Sequence, residues 1–137
     1  DLRRRTVLLP GLALADERLA LDPEQPLGKA LSFWAGLDEH AASVSGALDD
    51  LDIGHLAEVP VRMLSTGQRK RATLARVVAS HAAIWLLDEP ANGLDVASVA
   101  VLESLIMRHR AAGGIVLAVS HQPITLPEAR TIALDRP

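Results

Sequence analysis

Two short apolar runs, IWLL at 84–87 and GIVLAVS at 114–120, bracket a segment whose apolar residues recur at helical spacing. Unbroken apolar runs of this length are strands buried on both faces, and parallel pairing of two such strands needs a crossover between them, usually a helix. The intervening helix, from about Val96 to Ala112, places Val99, Leu102, Leu105, Ile106 and His109 on one side, with Gly113 as its C-cap candidate. Strand, helix, strand of this kind dictates an α/β fold, a parallel sheet covered by helices on both faces. The same constraint locates the chemistry, because ligands of open parallel sheets bind beyond the carboxyl ends of the strands.

The run IWLL leads directly into Asp88 and Glu89, so two carboxylates are aimed at that crevice. A magnesium ion bridging nucleotide phosphates keeps part of its hydration shell and needs one nearby carboxylate, a role open to Asp88 through water; Glu89 then faces the attacking water. The bland alternative is an acidic turn before Pro90, and these residues alone do not separate the two. Upstream, Ser65 followed by Gln68 is the capping-box pattern that opens a helix. Arg69, Lys70 and Arg71 crowd its opening turns, where the helix dipole makes each cation cost roughly 0.3–1 kcal/mol. An anion received by free N–H groups, the Ser65 hydroxyl and flexible Gly67 would offset that cost. For each basic residue taken singly, the expectation is a long side chain turned out to solvent.

The rest of the chain supports one domain, as 137 residues with 49% hydrophobic and 23% charged content allow. TVLL at 6–9 reads as a buried strand and residues 13–26 as an exposed loop. Residues 27–63 form a small helical block: a helix from Leu27 to Leu37, a second from Glu39 to Leu51, and a turn-rich connection broken by Pro60. TIAL at 131–134 is a candidate third strand. A net charge of −3 disfavours a nucleic-acid partner held by phosphate neutralisation. The absence of cysteine excludes disulfides and thiolate metal sites and fits a reducing compartment. The apolar runs fall short of the roughly 20 residues a membrane span needs.

LSTGQ at 64–68, IWLLDEP at 84–90, GLD at 93–95 and VSH at 119–121 resemble, in order and spacing, the ATP-binding subunits of ABC transporters, a P-loop NTPase-like nucleotide-binding domain. The resemblance implies a signature motif with Ser65, Thr66, Gly67 and Gln68 contacting ATP, Asp88 closing the Walker B strand and holding Mg²⁺ through water, and Glu89 as catalytic carboxylate. It further implies that Asp95 is a D-loop aspartate at the nucleotide and that His121 is the switch histidine. Thr66 stands where the family commonly has Gly. For Asp95 the plain alternative is an N-cap of the helix that follows, and for His121 a histidine in a loop at a strand end. The likeness also implies a head-to-tail dimer with a second ATP-binding subunit, and a helical block that meets a membrane partner.

FWAGL at 33–37, VPVRMLSTGQRKRATLARV at 59–77 and WLLDEPANGLD at 85–95 look more narrowly like the CcmA family, the ATP-binding subunit of the haem exporter of cytochrome c maturation. That likeness implies a permease of the CcmB type, no nucleic acid, and a peripheral place on the cytoplasmic side of the inner membrane. His40, His55, His81 and His109 are scattered and read as packing or surface residues.

No G-x-x-x-x-G-K-[ST] loop occurs in the sequence. The nearest imitation, Gly28-Lys29-Ala30, has Pro23 at the first glycine position and lacks the hydroxyl, so Lys29 is expected to face solvent. The family's glutamine after the strand at 6–9 is missing from LLPGL, and Gln25 lies too far on to replace it. The opening DLRRRTVLLPG reads as a chain joined mid-stream, a fragment lacking its N-terminal phosphate-binding portion and therefore inactive alone; a natural remnant without nucleotide grip is the other explanation, and the fragment is favoured because Glu89 and His121 persist. Two other classes stay open: a non-catalytic docking or regulatory module using residues 27–63, and the ATPase lobe of a DNA-repair-type protein.

Overall fold

The computed structural model describes residues 11–37 and 43–134. Three strands, β1 (Leu12–Ala15), β2 (Ile84–Asp88) and β3 (Ile115–Val119), pair in parallel in the order β1-β2-β3. Four α-helices accompany them: α1 (Leu27–Leu37), α2 (Val44–Asp50), α3 (Thr66–Ala79) and α4 (Val96–Ala111), with short 3₁₀ turns at Gly54–Leu56 and Val61–Met63. The sheet and the helical block expected at 27–63 are both present. The strand expected at 6–9 and the first part of the helix expected from Glu39 lie outside the described residues.

Two expectations are corrected. The segment read as exposed loop begins with three of the four residues of β1, which exists because Leu12–Ala15 pair with Ile84–Leu87, a partner remote in sequence that local pattern does not reveal. Residues 131–134 form no strand: they lack a neighbouring strand, and Ile132 and Leu134 are exposed.

The register layers the sheet cleanly. Ala13, Trp85 and Val116 form one row, Ala15, Leu87 and Ala118 the next, and both rows face the core. Consecutive strands advance in one direction, so right-handed crossovers carry α3 and α4 to the same face. The opposite face carries Leu14, Ile84, Ile115, Leu117 and Val119, all exposed. The sheet is thus covered on one face among the described residues, where coverage of both was expected.

Helix α1 begins without a side-chain cap. Its first N–H groups are satisfied by the connection that returns beneath it: Leu27 donates to the Val59 carbonyl at 2.9 Å and Gly28 to Ala57 at 2.8 Å. A Cβ on Gly28 would lie 3.3 Å from that same Ala57 oxygen, so glycine here serves close backbone approach. Lys29 is exposed, as expected, and the Gly-Lys imitation of a phosphate loop is a helix start.

Helix α1 buries Leu27 and Leu31, and its Trp34 donates through Nε1 to the Ala20 carbonyl at 2.8 Å while Arg76 of α3 lies 4.0 Å over the ring. Arg108 of α4 makes a two-pronged ion pair with Asp50 of α2, at 2.6 and 3.3 Å, tying the helical block to the crossover helix.

Beneath α4, the His109 ring stacks on Trp85 with centroids 3.9 Å apart, and its Nε2 donates to the Ala83 carbonyl at 3.0 Å. This packing histidine leaves no room at Gly114, where a Cβ would fall 2.1 Å from His109 Nε2. Gly114→Ala is therefore expected to displace the ring and destabilise the fold by about 1–3 kcal/mol. Urea unfolding followed by Trp85 fluorescence should show this loss, and the loss should shrink when His109 is already alanine.

Candidate functional site

The site is built where β2 and β3 end. Glu89, the first residue past β2, adopts φ +47°, a left-handed backbone that a non-glycine residue rarely takes. Its N–H still donates to the Val119 carbonyl at 2.7 Å, one further rung of the β2–β3 ladder. Two residues beyond Val119, the His121 N–H donates to Glu89 Oε2 at 3.1 Å, and His121 Nδ1 is paired with Glu89 Oε1. Glu89 is largely enclosed, with 16% of its side chain exposed, whereas His121 is 87% exposed. The donated backbone hydrogen bond, and then the imidazole, hold the Glu89 carboxyl below the ordinary glutamate value. Neighbouring Asp88 is exposed.

After Pro90, a turn through Ala91 and Gly93 delivers Asp95, whose Oδ1 accepts the Ser98 N–H at 2.8 Å and caps α4. The Ser98 side chain first, and then its N–H, hold the Asp95 carboxyl below the ordinary aspartate value. The capping role is therefore realised in this structure.

At the start of α3 the capping box is complete: Ser65 Oγ accepts the Gln68 N–H at 3.2 Å, and Gln68 Oε1 accepts the Ser65 N–H at 2.9 Å. This turn rests directly on the one between β2 and α4. A Cβ on Gly67 would lie 3.4 Å from the Gly93 carbonyl oxygen, and one on Gly93 would lie 3.7 Å from Thr66 Cγ2. Both distances are ordinary van der Waals contact, so the two turns touch without crowding. Gly93 itself has φ +79°, which favours glycine.

The structure thus joins Glu89 to His121, and Thr66 and Gly67 to the 90–95 turn. Ser65 and Thr66 are exposed, and among the described residues no hydrogen bond links the capping box to Glu89 or His121.

The basic cluster meets expectation in part: Arg69 is exposed, whereas Lys70 and Arg71 are half-buried, and both arginines are held by carbonyls. Arg69 donates through Nε to the Leu64 carbonyl at 3.1 Å and through Nη2 to Arg62 at 3.0 Å; Arg71 reaches the Leu51 carbonyl at 3.5 Å. These carbonyls lie at the 3₁₀ turn before α3 and at the C-cap of α2, where helical partners run out, so guanidinium donors take their place.

Lys70 is half-buried on the sheet side of α3. Burial pushes its pKa below the usual lysine value, and Asp88, Glu17, Glu89 and Asp16 act in the opposite sense. Asp16 and Glu17, which follow β1, were not singled out from the sequence. The repeat of an apolar run followed by Asp-Glu, ALADE beside WLLDE, was the available signal. Gln25, too far along the chain to be the family's glutamine, sits in the turn before α1, its carbonyl accepting the Val61 N–H at 3.0 Å.

Among the described residues, no three His, Cys, Asp or Glu side chains converge as a ready metal cage. The available donors are hard carboxylate oxygens. They suit a magnesium ion that keeps most of its waters and is held chiefly by phosphates.

Comparison with known proteins agrees with this geometry. The sequence profile of the ABC transporter family matches residues 2–92. The cytochrome c biogenesis ATP-binding export protein CcmA of Zymomonas mobilis is 55% identical over 124 residues, covering 90% of this chain and 56% of that protein. CcmA of Sphingopyxis alaskensis is 52% identical over 125 residues, covering 90% and 64%. The chain therefore spans a little over half the length of these relatives.

Among solved structures, cbiO1 of Clostridium perfringens, part of the ABC transporter complex cbiONQ, superimposes with TM-score 0.63 at 29% identity over 82% of this chain and 47% of that one. A dimeric bacterial ABC transporter cassette superimposes with TM-score 0.75 at 20% identity, over 82% and 53%, a likeness of fold.

Two outcomes follow from the site as built. Ser65→Ala removes the cap and should cost about 1 kcal/mol in denaturant unfolding, with Ser65→Gly costing less. Because the Glu89 carboxyl is depressed in the folded state, its contribution to stability is present above the ordinary glutamate value of 4.5 and lost as pH falls through the lower native value. Glu89→Gln should flatten that acid limb of a stability-against-pH curve.

Proposed function

The chain belongs to the ABC transporter family, and on that premise we propose that it carries the signature, Walker B, D-loop and switch-histidine region of an ATP-hydrolysing subunit. The observation that carries this reading is the Glu89–His121 pair, set by the β2–β3 ladder at the carboxyl edge of a parallel sheet. An enclosed, ionised glutamate at that edge, with a histidine from the next strand on its oxygens, can orient a water for in-line attack on a terminal phosphate. The lowered pKa makes Glu89 a weak base in this resting arrangement, so orientation comes first. Its transfer of hydrogen bonds from His121 to water would free His121 to meet the γ-phosphate.

Asp88, exposed beside Glu89, would hold Mg²⁺ through water. Magnesium, when bound, supplies neutralisation of phosphate charge. Ser65, Thr66, Gly67 and Gln68 form an exposed, capped helix start that a head-to-tail second subunit could present with its own ATP, with Asp95 at the same rim. Gly67 is half-buried against Gly93, so this rim and the turn that follows Glu89 would move together.

The identity with CcmA proteins supports the finer reading, haem export for cytochrome c biogenesis, as a translocase subunit peripheral to the cytoplasmic side of the inner membrane. No helix among the described residues is long and apolar enough to cross a membrane. A permease of the CcmB type would be met by the helical block, where Phe33 and Met63 are 62% and 63% exposed.

The 137 residues contain no G-x-x-x-x-G-K-[ST] loop, so this chain alone is expected to show no ATP turnover. Joined to a phosphate-binding segment, as in a fusion carrying such a loop, it should hydrolyse ATP, and Glu89→Gln should lower kcat by about 10²–10⁴-fold while leaving nucleotide binding in place. A phosphate-release assay decides it: turnover indifferent to Glu89→Gln would favour a docking module over an ATPase.

A further inference from the structure

The chain that leaves β3 is fastened on both sides of His121. Just before it, the Ser120 hydroxyl donates to the Gln122 carbonyl at 2.8 Å and accepts the Gln122 N–H at 3.2 Å, closing a tight bracket around the histidine. Residues 122–127 then form a strap along α4. The Thr125 N–H donates to Glu103 Oε1 at 2.8 Å, and Arg110 Nη1 donates to the Pro127 carbonyl at 2.8 Å. Glu103 and Arg110 stand two helical turns apart and so share one face of α4. Among the described residues neither enters a salt bridge; each holds a backbone group of the strap instead. Ile124 and Leu126, on either side of Thr125, pack half-buried against the core.

Pro123 and Pro127 fix φ at two positions of the strap. A shift at Thr125 is therefore passed back toward His121 rather than absorbed between them. Helix α4 is itself anchored at its start by the Asp95 cap, where the turn after Glu89 ends. A closed path results. It runs from Glu89 through the 90–95 turn, α4, Glu103 and Arg110 and the strap to His121, and returns to Glu89 through the His121 N–H at 3.1 Å and the imidazole.

We propose that Glu103 and Arg110 are positioning residues: by holding the 122–127 strap on α4, they fix how His121 meets Glu89. Both act from the outer face of α4 and reach the site only through His121. A tilt of α4, or of the turn that carries Gly93 and Asp95, is relayed along the strap to the histidine. The assignment rests on the ATPase reading only for what His121 does next.

The test uses the full chain free of nucleotide and compares Glu103→Ala, Glu103→Gln and Arg110→Met, with Glu89→Ala as the reference in which the glutamate–histidine pair cannot form. The His121 imidazole ¹⁵N resonances, amide exchange at Thr125 and thermal unfolding are read together. E103A is expected to speed exchange of the Thr125 N–H about tenfold, as loss of one hydrogen bond to a charged acceptor implies. E103A and R110M should each move the His121 Nδ1 resonance most of the way to its position in E89A. E103Q keeps a carbonyl acceptor for Thr125 and should keep the wild-type resonance.

A lowered unfolding midpoint with an unmoved His121 resonance, in either E103A or R110M, would make the two side chains a structural tether alone and overturn the proposal. A shift in E103Q as large as that in E103A would overturn it as well. Should one of E103A and R110M fail to fold, the other is read by the same criterion, and failure of both overturns the proposal. No ATP enters these measurements, so their outcome is separate from that of the Glu89→Gln turnover assay.

Discussion

The hydrogen bond from the Glu89 N–H to the Val119 carbonyl, 2.7 Å long, carries the β2–β3 ladder one residue past the end of β2. Everything at the site depends on that extra rung. It holds Glu89 in a left-handed backbone, which turns the side chain across toward β3 instead of onward along β2. It also sets the phase of the chain leaving β3, so that His121, two residues on, meets the carboxylate with both its N–H and its ring. A one-residue slip of β3 would break the rung and turn Val116 and Ala118 away from the core. The apolar rows that pack against α3 and α4 are therefore the same constraint that pairs glutamate with histidine.

A second layer of order comes from helix starts. Ser65 and Asp95 each cap a helix, and the turns they close lie against one another through Gly67 and Gly93. Caps are commonly worth about 1 kcal/mol, but here they also fix where exposed N–H groups and hydroxyls stand relative to the sheet edge. The arginines that follow Ser65 serve the same purpose from inside the chain, taking up carbonyls left over by the 3₁₀ turn and by α2. An arginine bound in this way braces the helical block against α3.

What could be read from the sequence was what local physics decides. Leu27–Leu37 as a helix, Val96 onward as the crossover helix, and the apolar runs of β2 and β3 all agree with the structure to within a residue or so. The place of Asp88 and Glu89 at the carboxyl end of β2 was legible because their strand was, and the helix start at Ser65 and Gln68 because a capping box is a local pattern. The failures share a cause. Strand β1 is four residues of Leu and Ala with weak strand preference, made a strand by a partner remote in sequence. Its Asp16 and Glu17 gain meaning only from the register with Asp88. Arg71 looked solvent-bound because the carbonyl it reaches belongs to another element, and TIAL looked like a strand because apolarity alone does not supply a neighbour.

The left-handed backbone of Glu89 has a consequence for anyone improving this protein. A non-glycine residue in that conformation commonly carries about 1 kcal/mol of backbone strain. A stability screen ranking substitutions by conformational preference would therefore favour glycine or asparagine at position 89. Such a screen would report success while removing the group the strand ends are arranged to hold. Under the proposed ATPase reading, thermal robustness and chemical competence pull in opposite directions at this one residue.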